Sequence, residues 1–86
     1  LVDVRTPGEY AQGHLANAVL IDIYSDDFKS RVGKLDKSKP VFVYCKAGSR
    51  SGSAVGVFTE MGFKEIYDLS GGITAWQRAS KPIEKR

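Results

Sequence analysis

The chain holds one cysteine, Cys45, at the end of the apolar run Val41-Phe42-Val43-Tyr44, and the residues that follow are Lys46-Ala47-Gly48-Ser49-Arg50-Ser51. The reactive form of cysteine is the thiolate. A strand end facing a helix N-terminus stabilises it, because unpaired backbone N–H groups and the helix dipole favour negative charge there. Gly48 permits the backbone to turn inward, so the N–H groups of residues 46 to 50 are expected to converge on the sulfur. Arg50 suits a planar oxyanion through paired hydrogen bonds. Lys46 adds a point charge at the rim, and Ser49 and Ser51 offer hydroxyl donors or a helix cap. The chemistry these residues support is nucleophilic attack by Cys45 on a small anionic substrate. The plainer alternative, a free cysteine filling core space at a strand end, does not account for the basic, glycine- and serine-bearing loop beside it.

The elements that must position this loop are legible in the hydrophobic pattern. Leu1–Val4 and Val19–Ile23 read as strands. Val41–Tyr44 is nearly continuous in apolar residues, as expected for a strand buried on both faces of a parallel sheet. Thr6-Pro7-Gly8-Glu9 reads as a helix start, with Thr6 capping, Pro7 at the first helical position and Glu9 reaching back in a capping box; that helix ends near Gly13. Ser25-Asp26-Asp27-Phe28 opens a second short helix through about Arg31, and Gly33 to Pro40 is a charged connection.

From about Ser51 to Met61, the residues Ala54, Val57, Phe58 and Met61 recur at helical spacing and mark a core-facing stripe. Gly52, Ser53, Ala54 and Gly56 are small enough to let this helix approach the sheet closely. Gly62 suits its C-terminal cap. Ile66–Leu69 reads as a strand, Ser70-Gly71-Gly72 as a turn and Ile73–Ala79 as a last helix with Ile73 and Trp76 on one face. Residues 79–86 read as a loose tail. Strands alternating with helices predict an α/β domain whose mainly parallel sheet is covered on both faces, with ligands outside the carboxyl ends of the strands. Cys45 follows the strand expected at the centre.

Composition excludes several function classes. The chain has 86 residues, 42% of them hydrophobic, which fits one small folded domain over 1–86 rather than a disordered segment. A net charge of +3, with the basic residues scattered, is too weak a footprint for nucleic-acid binding. One cysteine excludes an internal disulfide and a Cys-x-x-Cys redox pair, and with one histidine it makes no zinc site. No apolar run is long enough for a membrane span, and no secretory signal pattern is present. The chain opens at Leu1 with no initiating methionine, so a larger parent protein is expected. That start gives no compartment, and a cytoplasmic setting is the default.

In order and spacing, several segments resemble the single-domain rhodaneses, a family of thiosulfate:acceptor sulfurtransferases. These are Asp3-Val4-Arg5, Glu9-Tyr10, Gly13-His14-Leu15 and Asn17-Ala18-Val19; then Val41 to Ser51; then Asp68-Leu69, Gly71-Gly72-Ile73 and Ala75-Trp76. The resemblance implies a three-layer rhodanese-like fold and transfer of sulfane sulfur. Cys45 would be the nucleophile and carry a persulfide, and Lys46, Ala47, Gly48, Ser49, Arg50 and Ser51 would form the substrate-binding loop. The implied partners are a small anionic donor such as thiosulfate and a thiol or cyanide acceptor, with no nucleic acid, no membrane, and no metal or organic cofactor.

Cys45 through Arg50 spans six positions, the loop length that in this superfamily accompanies sulfur transfer; a loop one residue longer accompanies phosphatase or arsenate reductase activity. The family usually carries a strand and a helix before the Asp3-Val4-Arg5 motif. None precedes it here, so the expectation is a fold lacking that edge or completed by another segment. A non-catalytic binding or sulfur-delivery module of a larger protein is the competing reading. His14, Asp3, Arg5 and Trp76 are read as structural, and Glu9 as a helix-start residue.

Overall fold

In a computed structural model of the chain, residues 1–69 and 71–84 are described. Eight elements alternate along it: β1 (Val2–Asp3), α1 (Pro7–Gln12), β2 (Val19–Leu20), α2 (Phe28–Val32), β3 (Val41–Tyr44), α3 (Ser49–Glu60), β4 (Ile66–Asp68) and α4 (Gly72–Arg78). The strands form one parallel sheet in the order β2-β1-β3-β4, with Val2 opposite both Val19 and Val43, and Val43 opposite Asp68. The chain therefore steps outward from β1 in one direction and from β3 in the other. This reversal opens a crevice at the carboxyl ends of β1 and β3, where Arg5 and Cys45 lie, the place where open α/β sheets bind ligands.

The strands are short, yet pairing continues past them: Ile21 and Ile23 still donate N–H groups to the carbonyls of Asp3 and Val4. Alternation along each strand divides the core into two layers. One holds Val2, Val4, Ile21, Val41, Val43 and Cys45 against Phe28 and Val32 of α2, Ala54 and Phe58 of α3, and Phe63. The other holds Tyr44 against Tyr10, Leu15, Ala18 and Ile73. The Val41–Tyr44 strand is not buried on both faces throughout. Phe42 is 49% exposed and stacks on Tyr67 with ring centroids 5.0 Å apart, because the helices on that face pack toward the carboxyl ends of the strands.

Local signals explain the helix ends. At α1 the Thr6 side chain and the Glu9 side chain satisfy each other's backbone N–H, a complete capping box with Pro7 following. At the end of α3, Phe63 N–H returns to the Phe58 carbonyl and Gly62 N–H to Thr59, with Gly62 at φ +94°, so the left-handed glycine closes the helix. Two expectations about α3 change. It begins two residues earlier than its apolar stripe suggests, at Ser49, and its glycines do not serve close packing. Gly52, Ser53 and Gly56 face solvent, and a Cβ on either glycine would touch nothing; Ala54 makes the close contact.

The segment expected as a loose tail is docked over part of its length. Glu84 and His14 exchange backbone hydrogen bonds, Ile83 packs into the second core layer and Trp76 Nε1 donates to the Pro82 carbonyl at 2.8 Å. Lys85, Arg86 and Ser70 lie outside the described residues.

Candidate active site

β3 delivers Cys45 to the crevice and α3 starts four residues later, so the thiol sits where a strand runs into a helix N-terminus. Gly48, at φ +111°, turns the loop back over the sulfur, a left-handed conformation that favours glycine. Its N–H reaches Cys45 Sγ at 3.0 Å. The thiol in turn donates to Ser51 Oγ at 3.5 Å, and the backbone amides of Ser51 and Ala47 add to the environment that favours a charged sulfur. Burial pushes the Cys45 thiol up; the Ser51 hydroxyl and the backbone amides of Ser51, Gly48 and Ala47 outweigh it and leave its pKa below the ordinary thiol value.

The run 46 to 50 does not converge on the sulfur as expected: among the described residues Gly48 N–H is the backbone donor that hydrogen-bonds it, with the Ser51 hydroxyl beside it. Cys45 is also a core residue, 1% exposed, so the buried and the activated descriptions both hold.

The loop is held in shape from outside by α4. Ile73 N–H donates to the Cys45 carbonyl at 2.9 Å and Thr74 N–H to the Lys46 carbonyl at 3.0 Å. In a trans peptide the C=O and the next N–H point in opposite directions. Anchoring the Lys46 carbonyl on α4 therefore turns Ala47 N–H toward the sulfur. Gly72 is the contact surface: a Cβ there would lie 2.3 Å from the Cys45 carbonyl oxygen and 2.5 Å from that of Lys46.

Arg50 is placed differently from the expectation. Instead of facing an open oxyanion site, its Nη1 and Nη2 bind Glu9 Oε1 and Oε2 at 2.6 and 2.9 Å. The paired guanidinium, together with Thr6 N–H and Oγ, holds the Glu9 carboxyl down to about 2. Glu9, read from sequence only as a capping residue, therefore also fastens α1 to the loop; the signal that could have found it is a capping carboxylate in a chain with an arginine at the loop's end.

Ser49 is exposed and caps nothing, since Gly48 occupies the cap position without a side-chain bond. Lys46 is exposed and, among the described residues, makes no ion pair. It joins Arg5, Glu9, Gln12, Thr74 and Gln77 in lining a groove of about 220 Å³ beside the loop. Cys45 itself does not line this groove.

Behind the site, Asp3, Arg5 and Tyr44 form a buried network. Arg5 Nη2 meets Asp3 Oδ2 at 2.7 Å and the Gly13 carbonyl at 2.7 Å, and Tyr44 OH donates to Asp3 Oδ2 at 2.7 Å while accepting from Leu15 N–H. These bonds tie β1 and β3 to the segment after α1. His14 stacks on Tyr10 with centroids 3.7 Å apart, and its Nδ1 is 2.8 Å from the Tyr10 carbonyl, so its ring is engaged in structural contacts.

A profile of the rhodanese-like domain matches residues 1–79. The chain belongs to the rhodanese-like domain family. Among curated relatives of this rhodanese-like chain, a sulfurtransferase of Allochromatium vinosum is 36% identical over 96% of this chain and 76% of the relative. The thiosulfate sulfurtransferase GlpE of Coxiella burnetii is 40% identical over 90% and 70%. Among solved structures, a rhodanese-related protein from Thermoplasma volcanium superposes with a TM-score of 0.88 at 32% identity, over 99% of this chain and 83% of that one. A rhodanese with anions from E. coli gives 0.76 at 32% identity, over 99% and 95%. The rhodanese-like fold read from the sequence is the fold observed.

Proposed function

We propose that this rhodanese-like domain is a sulfurtransferase that carries sulfur as a persulfide on Cys45. The observation that carries the reading is the loop turned back over one buried sulfur, with Gly48 N–H at 3.0 Å and Ser51 Oγ at 3.5 Å, at the carboxyl ends of β1 and β3. Its sulfurtransferase-named relatives and the anion-bound E. coli neighbour support it.

In the first half-reaction the Cys45 thiolate attacks the outer sulfur of thiosulfate. The Sγ–S bond forms, the S–S bond of thiosulfate breaks, and sulfite leaves with the bonding pair. The persulfide carries the same single negative charge as the thiolate, so the same N–H donors serve both states. In the second half-reaction a thiolate or cyanide attacks the terminal sulfur and Cys45 returns as thiolate.

Ser51 completes the site. Its one hydroxyl hydrogen is within reach of the Gly48 carbonyl at 3.2 Å and of Cys45 Sγ. It donates to the carbonyl while Cys45 is a thiol, and turns to the sulfur when the proton leaves.

The test is the intact mass before and after thiosulfate. One added sulfur, removed by cyanide and absent in Cys45→Ser, is expected. No gain in folded protein overturns the reading in favour of a binding module.

A further inference from the structure

Of the charges that line the groove, two are paired with groups just outside it: Arg5 with buried Asp3 at 2.7 Å, and Glu9 with Arg50 of the loop at 2.6 Å. Lys46 alone has no acidic partner among the described residues around the groove. Arg50 is also electrostatically coupled to Cys45, so whatever neutralises Arg50 is felt at the sulfur. Glu9 cannot easily turn away, because its Oε1 accepts from both Thr6 N–H and Thr6 Oγ as part of the α1 cap. The side chains of Arg50 and Glu9 are 20% and 28% exposed, so the pair stands at the edge of the site and not in a sealed core.

We infer that Glu9 is a positioning residue that sets donor specificity: by engaging both terminal nitrogens of Arg50 it leaves the site one uncompensated cation, Lys46, and so favours monoanionic over dianionic sulfur donors. The inference rests on the sulfur-transfer reading above. A dianion that recruited Arg50 would have to displace the carboxylate, or bind with the carboxylate's charge still in place. A monoanion is matched by Lys46 and by the loop N–H groups without that rearrangement.

Thiosulfate and methanethiosulfonate provide the comparison, because both present an outer sulfur on a sulfonyl centre and differ by one negative charge. With methanethiosulfonate the Sγ–S bond forms, the S–S bond breaks and methanesulfinate leaves with the pair, so each donor loads one sulfur. The experiment is kcat/KM for both donors in the natural protein and in Glu9→Gln. Glutamine at this position can keep the capping hydrogen bonds through Oε1 while it removes the charge and the acceptor for Arg50 Nη2, and so frees the guanidinium. The thiosulfate-to-methanethiosulfonate ratio is expected to rise by roughly fivefold, the factor an exposed charge pair commonly controls. In parallel, thiolate absorbance of the single cysteine should show Cys45 ionising at lower pH in Glu9→Gln, a shift that a purely structural role would not produce.

An unchanged or falling ratio in folded Glu9→Gln overturns the inference. If neither donor loads sulfur on the natural protein, the sulfur-transfer reading falls instead. The thiolate titration then decides the role of Glu9: a lower ionisation midpoint retains its electrostatic hold on the site, and an unmoved one ends it.

Discussion

Gly72 presses against the carbonyl of Cys45 so closely that a methyl group on it would sit 2.3 Å from that oxygen, and its φ of +60° is one that glycine adopts most easily. Helix α4 thereby shapes the loop it never joins in sequence. Gly72→Ala is expected to lower stability by about 2 kcal/mol or more, combining steric overlap with backbone strain. It should also suppress sulfur loading in whatever fraction remains folded. Urea denaturation with intact-mass analysis checks both.

Ser51 is fully buried and touches the sulfur and the loop backbone together. Ser51→Ala removes one donor to the thiolate, so the Cys45 pKa should rise. Sulfur loading near neutral pH should slow by roughly tenfold, the scale of one hydrogen bond to a charged group. Thiolate absorbance against pH and single-turnover loading measure the two effects. An unmoved titration would show that the backbone N–H groups suffice.

The Glu9 carboxyl ionises at about 2 in the folded chain against an ordinary value of 4.5. The unfolded chain therefore binds the proton first, and the stabilisation is fully present above the ordinary value and lost as pH falls through about 2. Because the pair is partly exposed at the edge of the site, screening holds its size to about 1 kcal/mol. Unfolding free energies from pH 5 to pH 2 (roughly the span of this linkage) should fall more steeply for the natural protein than for Glu9→Gln, and parallel curves would refute the pair's contribution.

Asp3 is wholly buried and holds Arg5, itself 5% exposed, together with the hydroxyl of Tyr44. Asp3→Asn leaves a buried guanidinium without its charge partner, and the expected loss is about 3–5 kcal/mol. In a chain this small that is a large share of total stability. Thermal and urea unfolding measure it, and a loss below 1 kcal/mol (about the worth of an exposed pair) would mean the Gly13 carbonyl and solvent suffice for Arg5.

Much of this fold is written in short-range signals. The capping box at Thr6 and Glu9, the left-handed glycine after α3 and the stripe through Ala54 and Phe58 depend on neighbours within about one helical turn, and each appears where the sequence places it. The start of α3 carries no such signal. Ser49 and Arg50 enter the helix without apolar character, so hydrophobic spacing does not mark them. Phe42 departs from the expectation because an apolar run is equally consistent with a strand covered on one face, and the covering depends on where α1 and α4 come to rest.

For the site, the sequence by itself determined the components: a lone cysteine at a strand end, a glycine to turn the loop, a following helix, and the family to which their order belongs. Only the tertiary structure decided which groups meet. Arg50 pairs with a carboxylate 41 residues away, and the loop carbonyls are anchored by N–H groups from α4. The physical reason is range. Caps, turns and periodicity are set between residues close in the chain, whereas a charge takes the partner that packing brings within hydrogen-bond distance. In this chain the crevice between β1 and β3 brings α1, the loop and α4 together.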